Sequence, residues 1–217
     1  MIDTSQQVGD LRARRRNATR IEIQQAALEL FEENGFEATT VDEIAAAAGV
    51  SPRTFFRYFP TKEECVLFDL YGFDEALESC LRAVDPADFA LADIESAYRD
   101  VIAGFDDQRS EVAANFKRIQ KLVLATPALS RAALGRYTDK SRQLPEMIGA
   151  GTSARSRVHV RMIIEIANLE VQCAFEEWAE SDDVGDEGER ELLAIYDDVC
   201  ARMRTLGGVA TRSAENA

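Results

Sequence analysis

The stretch from Thr40 to Phe59 leaves the chain few ways to fold. Val41, Ile44, Ala45 and Ala48 stand at offsets 0, 3, 4 and 7, one face of a short helix. Thr40 lies three residues before Glu43, the spacing of a capping box, in which each side chain accepts a hydrogen bond from the other residue's backbone N–H. Gly49 closes this helix, Ser51 takes the N-cap position of the next, and Pro52 occupies its first turn, where a missing N–H costs nothing. That next helix, Pro52 to about Phe59, has two turns and cannot be stable alone. Alanines at 45 to 48 allow close approach, and Phe55 and Phe59, one turn apart, can anchor it. Arg53, Thr54, Arg57 and Tyr58 then remain on its outer faces. A helix, a tight glycine-containing turn and a second short helix carrying exposed basic groups form the unit whose second helix enters a DNA major groove.

Helical periodicity extends through the rest of the chain, without hairpin turns or sustained alternation, so the fold class is all-α. A helix from about Thr19 to Asn34 carries Ile23, Ala26, Ala27, Leu30 and Phe31 on one face and ends at Gly35. Pro60 and Thr61 break the chain before a further helix beginning at Lys62 and Glu63. Longer amphipathic helices are expected near Asp74 to Val84, Ala87 to Phe105, Arg109 to Leu124, Pro127 to Gln143, Arg155 to Ser181 and Glu187 to Leu206. This gives a flexible basic arm over 1–18, a three-helix DNA-binding head over 19–62, a larger all-helical domain over 63–207, and a frayed tail over 208–217.

The net charge of −14 opposes nucleic acid binding at first sight. Its distribution reverses that: eight basic residues face nine acidic ones through Lys62, against 17 and 30 beyond it. An acidic body keeps DNA off the wrong surface and leaves the small end to dock. Met1 to Asp10 lack a basic start and an apolar run, and no segment approaches the roughly 18 apolar residues of a membrane span, so a cytoplasmic protein without a membrane partner is expected. Cys65, Cys80, Cys173 and Cys200 are widely spaced and read as buried thiols. With one histidine, no nucleophile elbow, no phosphate loop and no HExxH, there is no catalytic constellation, and neither a cofactor nor a metal is expected.

The chain resembles the TetR (tetracycline-repressor) family of bacterial regulators. The resemblance is carried by Ala26-Ala27-x-x-Leu30-Phe31, Gly35-Phe36-x-Ala38-Thr39-Thr40-Val41, Ile44-Ala45, Ala48-Gly49-Val50-Ser51, and Thr54 to Phe59 followed by Lys62-Glu63. It implies a three-helix head, a helical ligand-binding and dimerisation domain whose last two helices form a four-helix bundle with a partner copy, and DNA release on binding a small-molecule effector. It also implies roles by position: Thr40 and its helix N-terminus toward a phosphate, Ser51, Arg53 and Thr54 toward base edges, and Tyr58 and Lys62 toward flanking phosphates. Arg57 is counted in the same DNA-facing set. Arg53 is the foremost base reader, since a guanidinium grips guanine O6 and N7 together. Two positions depart from the pattern: Phe56 stands where many relatives have tyrosine, leaving packing or a thymine-methyl contact, and Glu43 reads as a cap. Arg12, Arg14, Arg15 and Arg16 read equally as a DNA-directed arm and as a disordered basic tail.

Arg155 to Ser181 is apolar on more than one face, so it needs two partners. With the last helix it fits a bundle continued across a two-fold axis, or else it fills the monomer core. An effector site between helices has Tyr98, Asn115, Arg118, Tyr137, His159 and Trp178 as possible linings, without a choice among them. The expected function is thus a homodimeric, ligand-responsive repressor of a double-stranded DNA operator, released by an unknown effector. The alternative is a helical small-molecule-binding or redox-sensing module without DNA binding.

Overall fold

The computed structural model describes residues 4–85, 88–106, 111–144, 153–181 and 191–215, with the side chains of 4–14, 105, 106, 111 and 207–215 excepted. Among the described residues every regular element is a helix. They are α1 (Thr4–Asn34), α2 (Val41–Ala47), α3 (Pro52–Tyr58), α4 (Lys62–Val66), α5 (Phe73–Ala83), α6 (Leu91–Asp106), α7 (Glu111–Ala125), α8 (Pro127–Gln143), α9 (Ala154–Glu180) and α10 (Leu192–Glu215). The chain divides into two compact units, one ending at Leu70 and the other beginning at Tyr71.

In the first unit, α1 packs against α2 and α4, and α2 against α3. Ile23, Ala27 and Phe31 of α1, Ile44 and Ala45 of α2, and Phe55 and Phe59 at α3 form its buried core. Of the alanines at 45 to 48 only Ala45 is buried, so one small side chain, rather than four, sets the approach of the two helices. α4 belongs with this head because Gln24, buried on α1, donates its side-chain amide to the carbonyls of Cys65 and Val66 at 3.1 and 3.0 Å. The head therefore runs about eight residues past the expected boundary at Lys62.

Two further departures concern helix ends. α1 begins at Thr4 rather than near Thr19, so the arginine-rich segment continues the helix instead of preceding it. Arg, Leu, Ala and Gln are good helix formers, but before Ile21 they write no apolar stripe for a periodicity reading to follow. α10 likewise runs through the expected frayed tail to Glu215. The connections expected between these helices at 86, 149–152 and 182–186 lie outside the described residues, as do the expected helix starts at Ala87, Arg109 and Glu187.

The second unit is built around α9, which packs against α6, α7, α8 and α10. Its core combines Leu77 and Leu81 of α5, Ile94, Tyr98 and Ile102 of α6, Phe116 of α7, Val160, Ile164, Ala167, Val171 and Phe175 of α9, and Leu192, Ile195 and Tyr196 of α10. Asp74 at the start of α5 pairs with Arg136 at 2.6 Å and with Lys140, tying α5 to α8. Buried Tyr98 donates to Asn168 Oδ1 at 3.2 Å, which joins α6 to α9.

One core position is unlike the rest. Glu170 of α9 is completely buried, and neither carboxylate oxygen has a hydrogen-bond partner. Burial, and after it the nearby Glu95 carboxylate, push its carboxyl up to about 7, with Arg204 opposing. Burial likewise pushes the Cys200 thiol up to about 12.

Candidate nucleic-acid interface

The turn between α1 and α2 is fixed first. Gly35 closes α1 at φ 84°, a left-handed conformation that disfavours a β-carbon. The buried hydroxyl of Thr39 lies 2.9 Å from the Gly35 carbonyl and 3.2 Å from that of Leu30. Lys62, the first residue of α4, reaches back over this turn. Its ammonium donates to the carbonyls of Phe36 at 2.7 Å and Thr39 at 3.1 Å, and lies 4.2 Å from the Phe36 ring centroid. Lys62 is thus engaged within the head, although it stands among the residues that the sequence directs to phosphate.

α2 then starts with the complete capping box. The Glu43 amide donates to Thr40 Oγ1 at 3.3 Å, and the Glu43 carboxylate accepts from the Thr40 amide and hydroxyl, both at 2.8 Å. These hydrogen bonds hold the Glu43 carboxyl below the usual carboxylate range, the backbone bond contributing most. Both Thr40 donors already serve Glu43, so a phosphate at this end would have to displace a carboxylate.

Gly49, at φ 67°, makes the turn into α3. Ser51 Oγ caps α3 by accepting from the Thr54 amide at 3.1 Å, and the two hydroxyls lie 2.9 Å apart. Phe55, 0% exposed, and Phe59 hold the inner side of the helix, with ring centroids 5.9 Å apart. Arg53, Phe56 and Arg57 project to solvent, with Phe56 55% exposed. The Phe56 ring meets that of Phe55 edge-on at 5.6 Å between centroids, and its exposed part leaves an apolar surface at the centre of the outer face. Tyr58 is half-buried, with the Arg57 guanidinium 5.1 Å from its ring centroid. Among the described residues Arg53 makes no hydrogen bond or ion pair, so its five donors are available. The short helix therefore presents two guanidiniums and an aromatic ring on a rigid support, which suits base edges, thymine methyls and phosphates. On α1, Arg15 and Arg16 are exposed, while the side chains of Arg12 and Arg14 lie outside the described ones.

The six possible effector linings do not converge. Tyr98 and Trp178 are buried in the aromatic core, where Phe73, Phe116 and Phe175 join them at centroid distances of 4.8 to 6.3 Å. Buried Lys117 stands 5.1 Å from the Trp178 ring centroid. Arg118 donates to Asn115 at 2.9 Å, Tyr137 is half-buried, and His159 is exposed. Gln24 and Glu170 are the positions that the sequence reading missed. Glu170 has a visible signal, because offsets of 7 from Ile163 and 3 from Ala167 put a carboxylate on the apolar face of α9.

No described helix is long and apolar enough to cross a membrane. The family described as bacterial regulatory proteins, tetR family, matches residues 23–67. The HTH-type transcriptional regulator TcmR of Streptomyces glaucescens is 33% identical over 172 residues, spanning 77% of this chain and 76% of that protein. The putative mycofactocin biosynthesis transcriptional regulator MftR of Mycobacterium tuberculosis (strain ATCC 25618 / H37Rv) is 27% identical over 173 residues, spanning 79% and 85%. Among solved structures, NalD, the secondary repressor of the MexAB-OprM multidrug efflux pump in Pseudomonas aeruginosa, aligns with a TM-score of 0.49 at 21% identity, covering 85% of this chain and 96% of NalD. With a helix-turn-helix whose outer face carries Arg53 and Arg57 and an all-helical second unit, the chain belongs to the TetR family of bacterial transcriptional regulators.

Proposed function

We propose that the protein is a homodimeric repressor that reads an inverted-repeat operator through α3 of each head and releases it when a small molecule binds the second unit. The observation that carries this reading is the division of α3 into a buried side, Phe55 with Phe59 following it, and a free side, Arg53, Phe56 and Arg57. Arg53 reads a guanine, Phe56 lies against a thymine methyl, and Arg57 and Tyr58 bind the flanking backbone. Ser51 and Thr54 reach base edges while keeping their cap, and Thr40 and Lys62 approach phosphate only by exchanging partners they already hold.

Dimerisation is supported by α9. Val158, Met162 and Leu169 are 59, 58 and 49% exposed and fall within about 40° of one another around the helix, a solvated apolar stripe that a second copy would cover. The effector is assigned to the aromatic cluster around Phe116 and Trp178, whose rings suit an apolar molecule and whose edge carries Lys117.

The test is titration of labelled DNA from upstream of the protein's own gene, alongside sedimentation of wild type and Met162→Glu. The reading expects a dimer that binds two half-sites about 34–36 Å apart, and a monomeric, weakly binding Met162→Glu. A wild type that stays monomeric, or that binds no duplex at low salt, would overturn it.

A further inference from the structure

Glu170 sits at the meeting of three helices. Glu95 of α6 and Cys200 of α10 face it, at 6% and 0% exposure, and one donor atom from each of the three residues lies within 4.8 Å of the others. Arg204, one turn beyond Cys200, donates to Glu95 at 2.5 Å, and Tyr196, one turn before Cys200, is buried beside them. A carboxylate removed from water and left without a partner is costly, so a fold that keeps one at its centre needs a compensating charge or a proton there.

We propose that Glu95, Glu170 and Cys200 form a binding site for one divalent transition-metal ion of the zinc type, linking α6, α9 and α10. The donor set argues for this class. A thiolate beside carboxylates suits zinc and its neighbours, whereas magnesium and calcium take oxygen alone. Three protein ligands leave a fourth tetrahedral position for water. Tetrahedral zinc separates its ligand atoms by about 3.3–3.8 Å, so the widest pair must close by about 1 Å, a rotamer adjustment for two glutamates. Charge also balances: two carboxylates and a thiolate are met by the ion and the Arg204 guanidinium. The Arg204 hydrogen bond fixes the Glu95 carboxylate for coordination. Binding converts the Cys200 thiol to thiolate, and its proton passes to solvent.

The experiment uses the full chain, stripped with chelator and titrated with cobalt(II) and then zinc(II), without DNA. Expected are one cobalt per chain, a thiolate-to-cobalt charge-transfer band in the near ultraviolet, and its loss when zinc displaces the cobalt. Cys200→Ser should abolish the band, Glu170→Gln should abolish saturable binding, and exposed Glu176→Gln should leave both unchanged. Circular dichroism confirms folding, and if Cys200→Ser does not fold, Glu170→Gln decides, since it keeps shape and removes only charge. Absence of saturable binding by wild type, or binding that survives Glu170→Gln, overturns the site.

Discussion

The ammonium of Lys62 donates to the carbonyl oxygen of Phe36 at 2.7 Å, so the first residue of α4 clamps the turn between α1 and α2, 26 residues earlier. The same group reaches the Thr39 carbonyl, and the loop that presents the helix-turn-helix is held from behind.

Lys62→Met should therefore destabilise the head by about 1–3 kcal/mol, the cost of leaving carbonyls without their charged donor. Urea unfolding checks this, and DNA affinity should fall equally for all sequences as the head loosens. Unchanged stability with a salt slope shallower by about one unit would instead make Lys62 a phosphate contact.

Phe55→Ala and Arg53→Ala should separate support from reading. Removing the fully buried ring should cost about 3–5 kcal/mol and unfold the head in a thermal melt. Arg53→Ala should leave the melt within about 0.5 kcal/mol of wild type, yet lose about 1–3 kcal/mol of discrimination at one operator base pair, measured by anisotropy with substituted duplexes.

The capping box should titrate in acid. Hydrogen bonds from Thr40 lower the Glu43 carboxyl in the folded head, so its contribution to stability is complete above the ordinary glutamate range and is lost as pH falls through the lowered value. The Thr40 amide chemical shift should follow this titration with a midpoint below that of an ordinary glutamate. Glu43→Gln should remove the titration while keeping the cap.

Thiol alkylation should rank the cysteines. Burial pushes Cys65 strongly upward, and Cys80 and Cys173 upward through burial first and then Asp93 and Glu176 respectively. At pH 8 iodoacetamide should modify Cys80 and Cys173 more slowly than free cysteine, and Cys65 only on unfolding. Fast Cys65 labelling in the native protein would mean that α4 leaves α1.

Effector binding should be visible directly. Trp178 is the single tryptophan of the chain and lies in the aromatic cluster, 6.1 Å from Phe116 between ring centroids. An apolar effector that weakens DNA binding should change its emission with the same midpoint as DNA release, and Phe116→Ala should shift both midpoints together.

What the sequence made legible is what local chemistry decides. The Thr40–Glu43 box, the Ser51 cap, the glycine at 35 and the start of α8 at Pro127 each depend on residues a few positions apart, and each is present as read. Gln24 meets carbonyls 41 and 42 residues away, and Lys62 one 26 away, so no spacing rule finds them. The direction of Lys62 is the instructive case: its motif position points to phosphate, and the intramolecular carbonyls of Phe36 and Thr39 that it also reaches leave no mark in local spacing. Glu170 was legible in principle, as a charge written into an apolar stripe.

The residues that secure α3 and the residues it displays share no position. Phe55 and Phe59 can stay constant while 53, 56 and 57 change identity, because the first two are buried in the head and the other three are exposed. A duplicated copy of this gene could thus acquire a different operator through a handful of exposed exchanges, with its architecture intact from the first one onward.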